Sequence, residues 1–151
     1  MILYLDTSAL VKLYVSETGS AALRRRASEA EALATSMVAY AEARSALARL
    51  LRAGHTDARR HARRLQRLNR DWDDYLRVEL TPEVVRSAGD LAEAHALRGF
   101  DAIHLASGLW LKERTTGGLV FAVHDRRLHA AAGRAGMQTH PRRPLLARRV
   151  T

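Results

Sequence analysis

Short apolar runs separated by longer stretches of helical periodicity set the pattern of this chain. "ILYL" (2–5), "ALAT" (32–35), "RVEL" (77–80), "LVFAV" (119–123) and "MQTH" (137–140) read as short strands. Apolar or alternating runs of this length, bounded by turn signals, fit strands better than helices. Ser36 stands where a side-chain oxygen can cap the helical pattern "MVAYAEARSALARLLRA", which stops at Gly54. Thr81, Pro82 and Glu83 place a cap, a preset first-turn proline and an acid at another helix start, and Gly99 lies beyond that helix's end. "TTGG" (115–118) is a turn before the fourth strand. Strands alternating with helices predict an α/β fold with a mostly parallel sheet. Such sheets bind ligands beyond the carboxyl ends of their strands, at the topological switch point.

At 151 residues the chain is long enough for one domain with its own core. No repeat, low-complexity tract or Pro/Ser-rich linker divides it. No apolar run approaches the ~20 residues that span a bilayer, and the first residues lack the basic start and cleavage site of a secretory signal. A cytoplasmic location without a membrane partner is therefore expected. Cysteine is absent, which excludes disulfides, thiolate zinc sites and cysteine nucleophiles. Any metal would be held by carboxylates, histidines or carbonyls. Lys and Arg exceed Asp and Glu by 25 to 16, a net charge of +9 that favours a polyanionic partner. Lys12 and Lys112 are the only lysines.

Acids recur where the fold rule says to look. Asp6 follows the first strand, Glu42 lies in the second turn of the helix after the second, Asp101 opens another helix, and Asp125 follows the fourth strand. Taken singly, Glu42 reads as an exposed helix residue, and each aspartate reads equally well as an N-cap. Taken together, four carboxylates converging on one sheet edge would repel one another and raise each other's pKa values. A divalent cation relieves that repulsion. Mg²⁺ takes hard oxygen ligands and keeps several waters, and a bound Mg²⁺ or Mn²⁺ can acidify a water and neutralise charge on a phosphate.

The segments "YLDTSALVKLYVSE", "TSMVAYAEARSAL", "DAIHLA" and "VHDRRLHAAAGRAG" occur in this order and resemble the PIN-domain ribonucleases, most closely the VapC toxins of type II toxin–antitoxin systems. The resemblance covers residues 1 to about 140. It implies a PIN-like three-layer sandwich whose five-stranded parallel sheet has the order 3-2-1-4-5. It implies a single PIN domain over 1–140, followed by a basic tail over 141–151. It assigns Asp6, Glu42 and Asp101 to an acidic triad and Asp125 to a fourth acid, all four catalytic and metal-binding. Direct metal contact falls first to Asp6 and Asp101, with Glu42 and Asp125 often acting through water. Ser8 takes the hydroxyl position that supports the first aspartate. Val123 departs from the pattern, since many members carry Thr or Ser two residues before the fourth acid.

His104 follows Asp101 by three residues, a spacing open to metal ligation, but the resemblance makes it structural, and packing or hydrogen bonding is expected. His95 lies in an apolar helical stripe and has the same reading. In "TDARRHARRLQRLNRDW" (56–72), Arg60, Arg63, Arg64 and Arg67 fall on one helical face opposite Ala62, Leu65, Leu68 and Trp72. Singly each arginine reads as solvated. Together, with Arg24, Arg25 and Arg26, they could follow an RNA backbone or dock an acidic antitoxin. Aromatics make up 5% of the chain, so recognition is expected to rest on RNA shape and backbone.

The expected function is a Mg²⁺- or Mn²⁺-dependent endoribonuclease, the toxin of a VapBC-like pair, leaving 5′-phosphate and 3′-hydroxyl ends. The resemblance further implies a homodimer and a VapB-like antitoxin. A catalytically silent RNA- or protein-binding module and a DNA-directed nuclease are the alternatives.

Overall fold

The first strand, β1 (Ile2–Leu5), divides its side chains between two cores: Leu3 and Leu5 face one way and Tyr4 the other, all fully buried. The structure is a computed structural model and describes residues 1–144. After β1 come α1 (Thr7–Tyr14), α2 (Ser20–Ser28), β2 (Ala32–Ser36), α3 (Ala39–Arg52), α4 (Ala58–Trp72) and β3 (Leu76–Val78). The second half contains α5 (Pro82–His95), α6 (Gly99–Glu113), β4 (Leu119–Ala122), α7 (Arg126–Arg134) and β5 (Gln138–His140). All strand pairs are parallel, and the order is β3-β2-β1-β4-β5, as the resemblance implies. The chain reverses its walk across the sheet between β1 and β4, which makes the carboxyl ends of these two strands the switch point.

Helices cover both faces. Leu3, Leu5, Val120 and Ala122 pack with Leu10, Leu23, Leu47 and Leu68 of α1 to α4. Tyr4, Ala34, Phe121 and Val123 pack with Val84, Leu105 and Leu128 of α5 to α7. At the centre of the second core Tyr4 and Phe121 stack, with ring centroids 5.0 Å apart and planes within 6°. Gly108 of α6 makes room for that stack, because a Cβ there would lie 2.8 Å from two Phe121 ring carbons. Gly108→Ala is therefore expected to lose about 1–2 kcal/mol, overpacking strain outweighing the gain in helix propensity. Gly89→Ala in α5, where a Cβ meets nothing within 4 Å, should instead gain about 0.5–1 kcal/mol. Urea denaturation of the two variants checks the opposite signs.

The local expectations are corrected at several ends. Ser36 does not cap a helix. It ends β2, opposite Val78 of β3, with its hydroxyl buried and, among the described residues, unpartnered, and α3 starts after Val38 with no side-chain cap among them. The Met37 N–H donates to the Val78 carbonyl (3.0 Å), so strand pairing takes the residues a cap would have used. Glu42 consequently sits in the first turn of α3, not the second. The third strand is Leu76–Val78 rather than 77–80, and exposed Leu80 leads into the helix capped by Thr81. Ala96, at φ 52, terminates α5, and Gly99 opens α6. On α4 the buried side is His61, Leu65, Leu68 and Trp72. Ala62 is exposed, and Arg64 is half-buried rather than on the outer face. Of the tail expected over 141–151, residues 145–151 lie outside the described residues.

Candidate active site

Asp6 leaves β1 with its N–H donating to the Ala122 carbonyl of β4 (3.1 Å), one step beyond the strand. Its side chain caps α1 by accepting from the Ala9 N–H (2.8 Å), so the capping reading holds geometrically. Ser8 donates to the same carboxylate, at 2.7 Å to Oδ1 and 2.9 Å to Oδ2. The Ser8 hydroxyl also accepts the His124 N–H (2.9 Å) and thereby ties the end of β4 to the start of α1. Asp125 caps α7 through the Leu128 N–H (2.9 Å). Asp101 caps nothing: it lies in the first turn of α6, behind Arg98.

Glu42 is held by two donors. Thr7 Oγ1 donates to its Oε1 at 2.7 Å, and His104 Nε2 stands 2.8 Å from the same oxygen. His104 is buried, and its Nδ1 lies 3.1 Å from the Tyr4 hydroxyl. Burial pushes the Tyr4 pKa far up, so that hydroxyl stays an O–H donor. The pattern fixes one consistent assignment, with Tyr4 donating to Nδ1 and Nε2–H donating to Glu42. His104 is thus a hydrogen-bonding strut, as expected.

One hollow of about 560 Å³ collects Asp6, Glu42, Asp101 and Asp125, with Ser8 and His104 in its wall. Its electrostatics are those of crowded acids. Asp6, 3% exposed, is pushed up to about 6, mainly by burial and further by Asp101, against relief from His104, Ser8 and Ala9. Asp101 is raised by burial and by the Asp125 carboxylate, with the Arg98 charge opposing. Burial would raise Glu42 too, but the hydrogen bonds from His104 and Thr7 hold it below its ordinary value. Among the described residues no Lys or Arg pairs with any of the four.

This donor set fits a hard divalent cation: its oxygens are carboxylate, its charges repel, and Asp101 makes no side-chain hydrogen bond among the described residues. No three His, Asp or Glu side chains among the described residues are spaced to grip one ion together. Contact would run through one or two carboxylates, with water completing the shell, the habit of Mg²⁺. The sign of the Asp6 shift gives a prediction for metal-free protein. A folded pKa of about 6 against an ordinary 3.8 means that the folded state binds the proton more tightly. That contribution is present below the ordinary value and is lost as pH rises from about 4 to 6. It amounts to on the order of 3 kcal/mol. Denaturation in EDTA should show wild type losing stability relative to Asp6→Asn across this window, and Mg²⁺ should restore it at the upper end.

The arginines of α4 do not line this hollow. Arg67 lies over the Tyr14 ring (5.4 Å) and, with Arg24, borders a different depression near Asp71 and Tyr75. The cations at the acids are Lys12, Arg49 and Arg98. Lys12 is anchored by Glu17 (2.7 Å) and the Thr18 carbonyl (3.0 Å), while Arg49 and Arg98 form no ion pair among the described residues. Sequence reading missed them, although Arg49 follows Glu42 by two helical turns and Arg98 precedes Asp101 by one. Val123, the departure from the expected hydroxyl, is fully buried in the core. Burial pushes His124 down to about 4, with Lys12 adding to the effect, so its ring stands neutral in the wall.

A parallel sheet of order 3-2-1-4-5 with an acidic hollow at its switch point defines a class, and the class has a family. A profile described as "PIN domain" matches residues 3–133, and the chain belongs to the PIN-domain family. Within that family it is of the VapC type. It is 44% identical over 147 residues to "Ribonuclease VapC45" of Mycobacterium tuberculosis (strain CDC 1551 / Oshkosh), covering 93% of this chain and 95% of that one. The crystal structure of PAE2754 from Pyrobaculum aerophilum is similar at 25% identity and a TM-score of 0.63, covering 92% of each chain. The crystal structure of VapBC-5 from Mycobacterium tuberculosis, a member of the VapBC family of toxin-antitoxin systems, shares the fold at 18% identity. Its TM-score is 0.59, covering 91% of this chain and 96% of that one.

Proposed function

We propose that this protein is a divalent-metal-dependent endoribonuclease and the toxin of a VapBC-like pair. The observation that carries the reading is the uncompensated hollow of Asp6, Glu42, Asp101 and Asp125 in a chain of net charge +9. The naming of its 44%-identical relative as a ribonuclease supports RNA as substrate. A bound Mg²⁺ or Mn²⁺ supplies an acidified water and neutralises charge on the phosphate. The chain does the rest. Ser8 and the Ala9 N–H fix Asp6, and Thr7 and His104 keep Glu42 ionised and still. Among the described residues Asp101 stands free of protein partners, and Asp125 is anchored at the head of α7. Arg49 and Arg98 offer cations at the border of the hollow, where a phosphodiester backbone would approach. Direct attack of water leaves a 5′-phosphate and a 3′-hydroxyl.

Residues 1–140 would act as one domain, as a homodimer, with a VapB-like antitoxin as the neutralising partner; VapBC-5 is a member of the VapBC family of toxin-antitoxin systems. Arg60, Arg63, Arg64 and Arg67 stand away from the acids and would serve a remote stretch of RNA or the antitoxin. Among the described residues no helix is long and apolar enough to cross a membrane, and the cytoplasm is the expected site of action. The test is incubation with total RNA in Mg²⁺, in Mn²⁺ and in EDTA. Discrete fragments with 5′-phosphate ends should appear with either metal and disappear with EDTA. Cleavage that persists in EDTA would exclude the metal reading, and intact RNA with DNA degraded would exclude the RNA reading.

A further inference from the structure

Phe100 is 56% exposed in a chain whose aromatic content is 5%. It occupies the first turn of α6, one residue before Asp101 and so about 100° round the helix from it. The inward positions of that helix are Ala102, Leu105 and Ala106, which pack into the core. The Phe100 ring is thus turned outward beside the acids.

It forms one side of a hollow of about 460 Å³, with Val38, Ala41 and Ala46 of the α3 region as the facing apolar wall and Ser45 also lining it. This hollow is continuous with the acidic one: Thr7, Glu42, Ala46 and Arg49 line both. An apolar slot with a ring to stack on and the Ser45 hydroxyl, and the Arg49 cation at its junction with a phosphate-cleaving site, together match one nucleotide. Its base would lie in the slot and its phosphate would lie toward Arg49. An aliphatic side chain would use the walls but leave the guanidinium and the hydroxyl without counterparts.

Resting on the ribonuclease reading above, we propose that the hollow between α3 and α6 is a nucleobase pocket in which Phe100 stacks on an unpaired base flanking the cut phosphate. A base held in a duplex cannot enter it. Unpaired bases are open to aromatic side chains in this way.

The experiment uses an oligonucleotide containing a mapped cut, and versions with a single abasic nucleotide on either side of it. Wild type should lose about 5- to 100-fold in kcat/KM at one abasic position, the scale of base–aromatic stacking. Phe100→Ala should show the same loss on intact RNA and no further loss on the abasic version. Phe100→Trp should keep wild-type behaviour, and Phe100→Leu should not. Anisotropy binding of the same oligonucleotides separates the two readings. If no cut can be mapped, the cleavage reading falls, and weaker binding of a short single-stranded oligonucleotide by Phe100→Ala than by wild type would keep the pocket. If wild type cuts and Phe100→Ala cuts intact and abasic RNA just as wild type does, the pocket falls alone. Unchanged RNA binding by Phe100→Ala with lost dimerisation or lost antitoxin binding would assign the slot to a protein partner and overturn the proposal.

Discussion

Asp101→Asn is expected to reduce RNA cleavage by about 10²–10³-fold while leaving the fold slightly more stable. The activity loss is the scale of removing one preorganised group that stabilises a transition state. The stability gain follows from the crowding: the Asp101 carboxyl is raised by burial and by Asp125, so its ionised form is a strain on the metal-free protein. Asparagine keeps the shape and removes the charge. Among the described residues no protein hydrogen bond is lost. Wild type should gain thermal stability on adding Mg²⁺, and the variant should gain little. A variant that melts early and cuts poorly would point to damage rather than chemistry, and a variant that cuts at the wild-type rate would remove Asp101 from the site.

His104→Ala should be the most destabilising single change near the acids, at about 2–4 kcal/mol. The substitution opens a cavity under α6, leaves the buried Tyr4 hydroxyl without its partner at 3.1 Å and releases Glu42 from its 2.8 Å contact. His104→Gln can again donate to Glu42 but cannot also receive Tyr4. Activity should therefore return further than stability does. Adding Tyr4→Phe to His104→Gln removes the orphaned hydroxyl and should recover part of the stability. Urea midpoints for wild type, His104→Gln, Tyr4→Phe and the double variant, at constant m, measure the coupling; additivity of the two substitutions would show that Tyr4 and His104 do not act as a pair.

Much of this architecture could be read from residue order. The strand–helix alternation placed every strand within a residue or two, and the acids were visible as carboxylates following apolar runs. The cap at Thr81 and the stop at Gly54 are local devices and were equally legible. Ser36 misled because its fate depends on pairing with Val78, a partner 42 residues away whose ladder competes with the cap. Arg49 and Arg98 stand within two helical turns of Glu42 and Asp101, but only the fold brings both pairs to one hollow. His104 looked merely structural, and its hydrogen bonds to Tyr4 and Glu42 span 100 and 62 residues. The α4 arginines were the loudest charge pattern in the chain, yet helix phase alone could not say that their helix packs away from the hollow.

The Ser8 bridge has a consequence for biosynthesis. It joins residues 116 positions apart, and β4 inserts directly beside β1 although most of the chain separates them. A ribosome-bound chain that has emitted α1 to α5 holds Asp6 and Glu42, but α6 and β4 have not yet brought Asp101 or closed the sheet's middle. At about 5–20 residues added per second, the half-made protein spends several seconds without a working hollow. A nuclease of this build would lack its full set of acids until its last strands arrive.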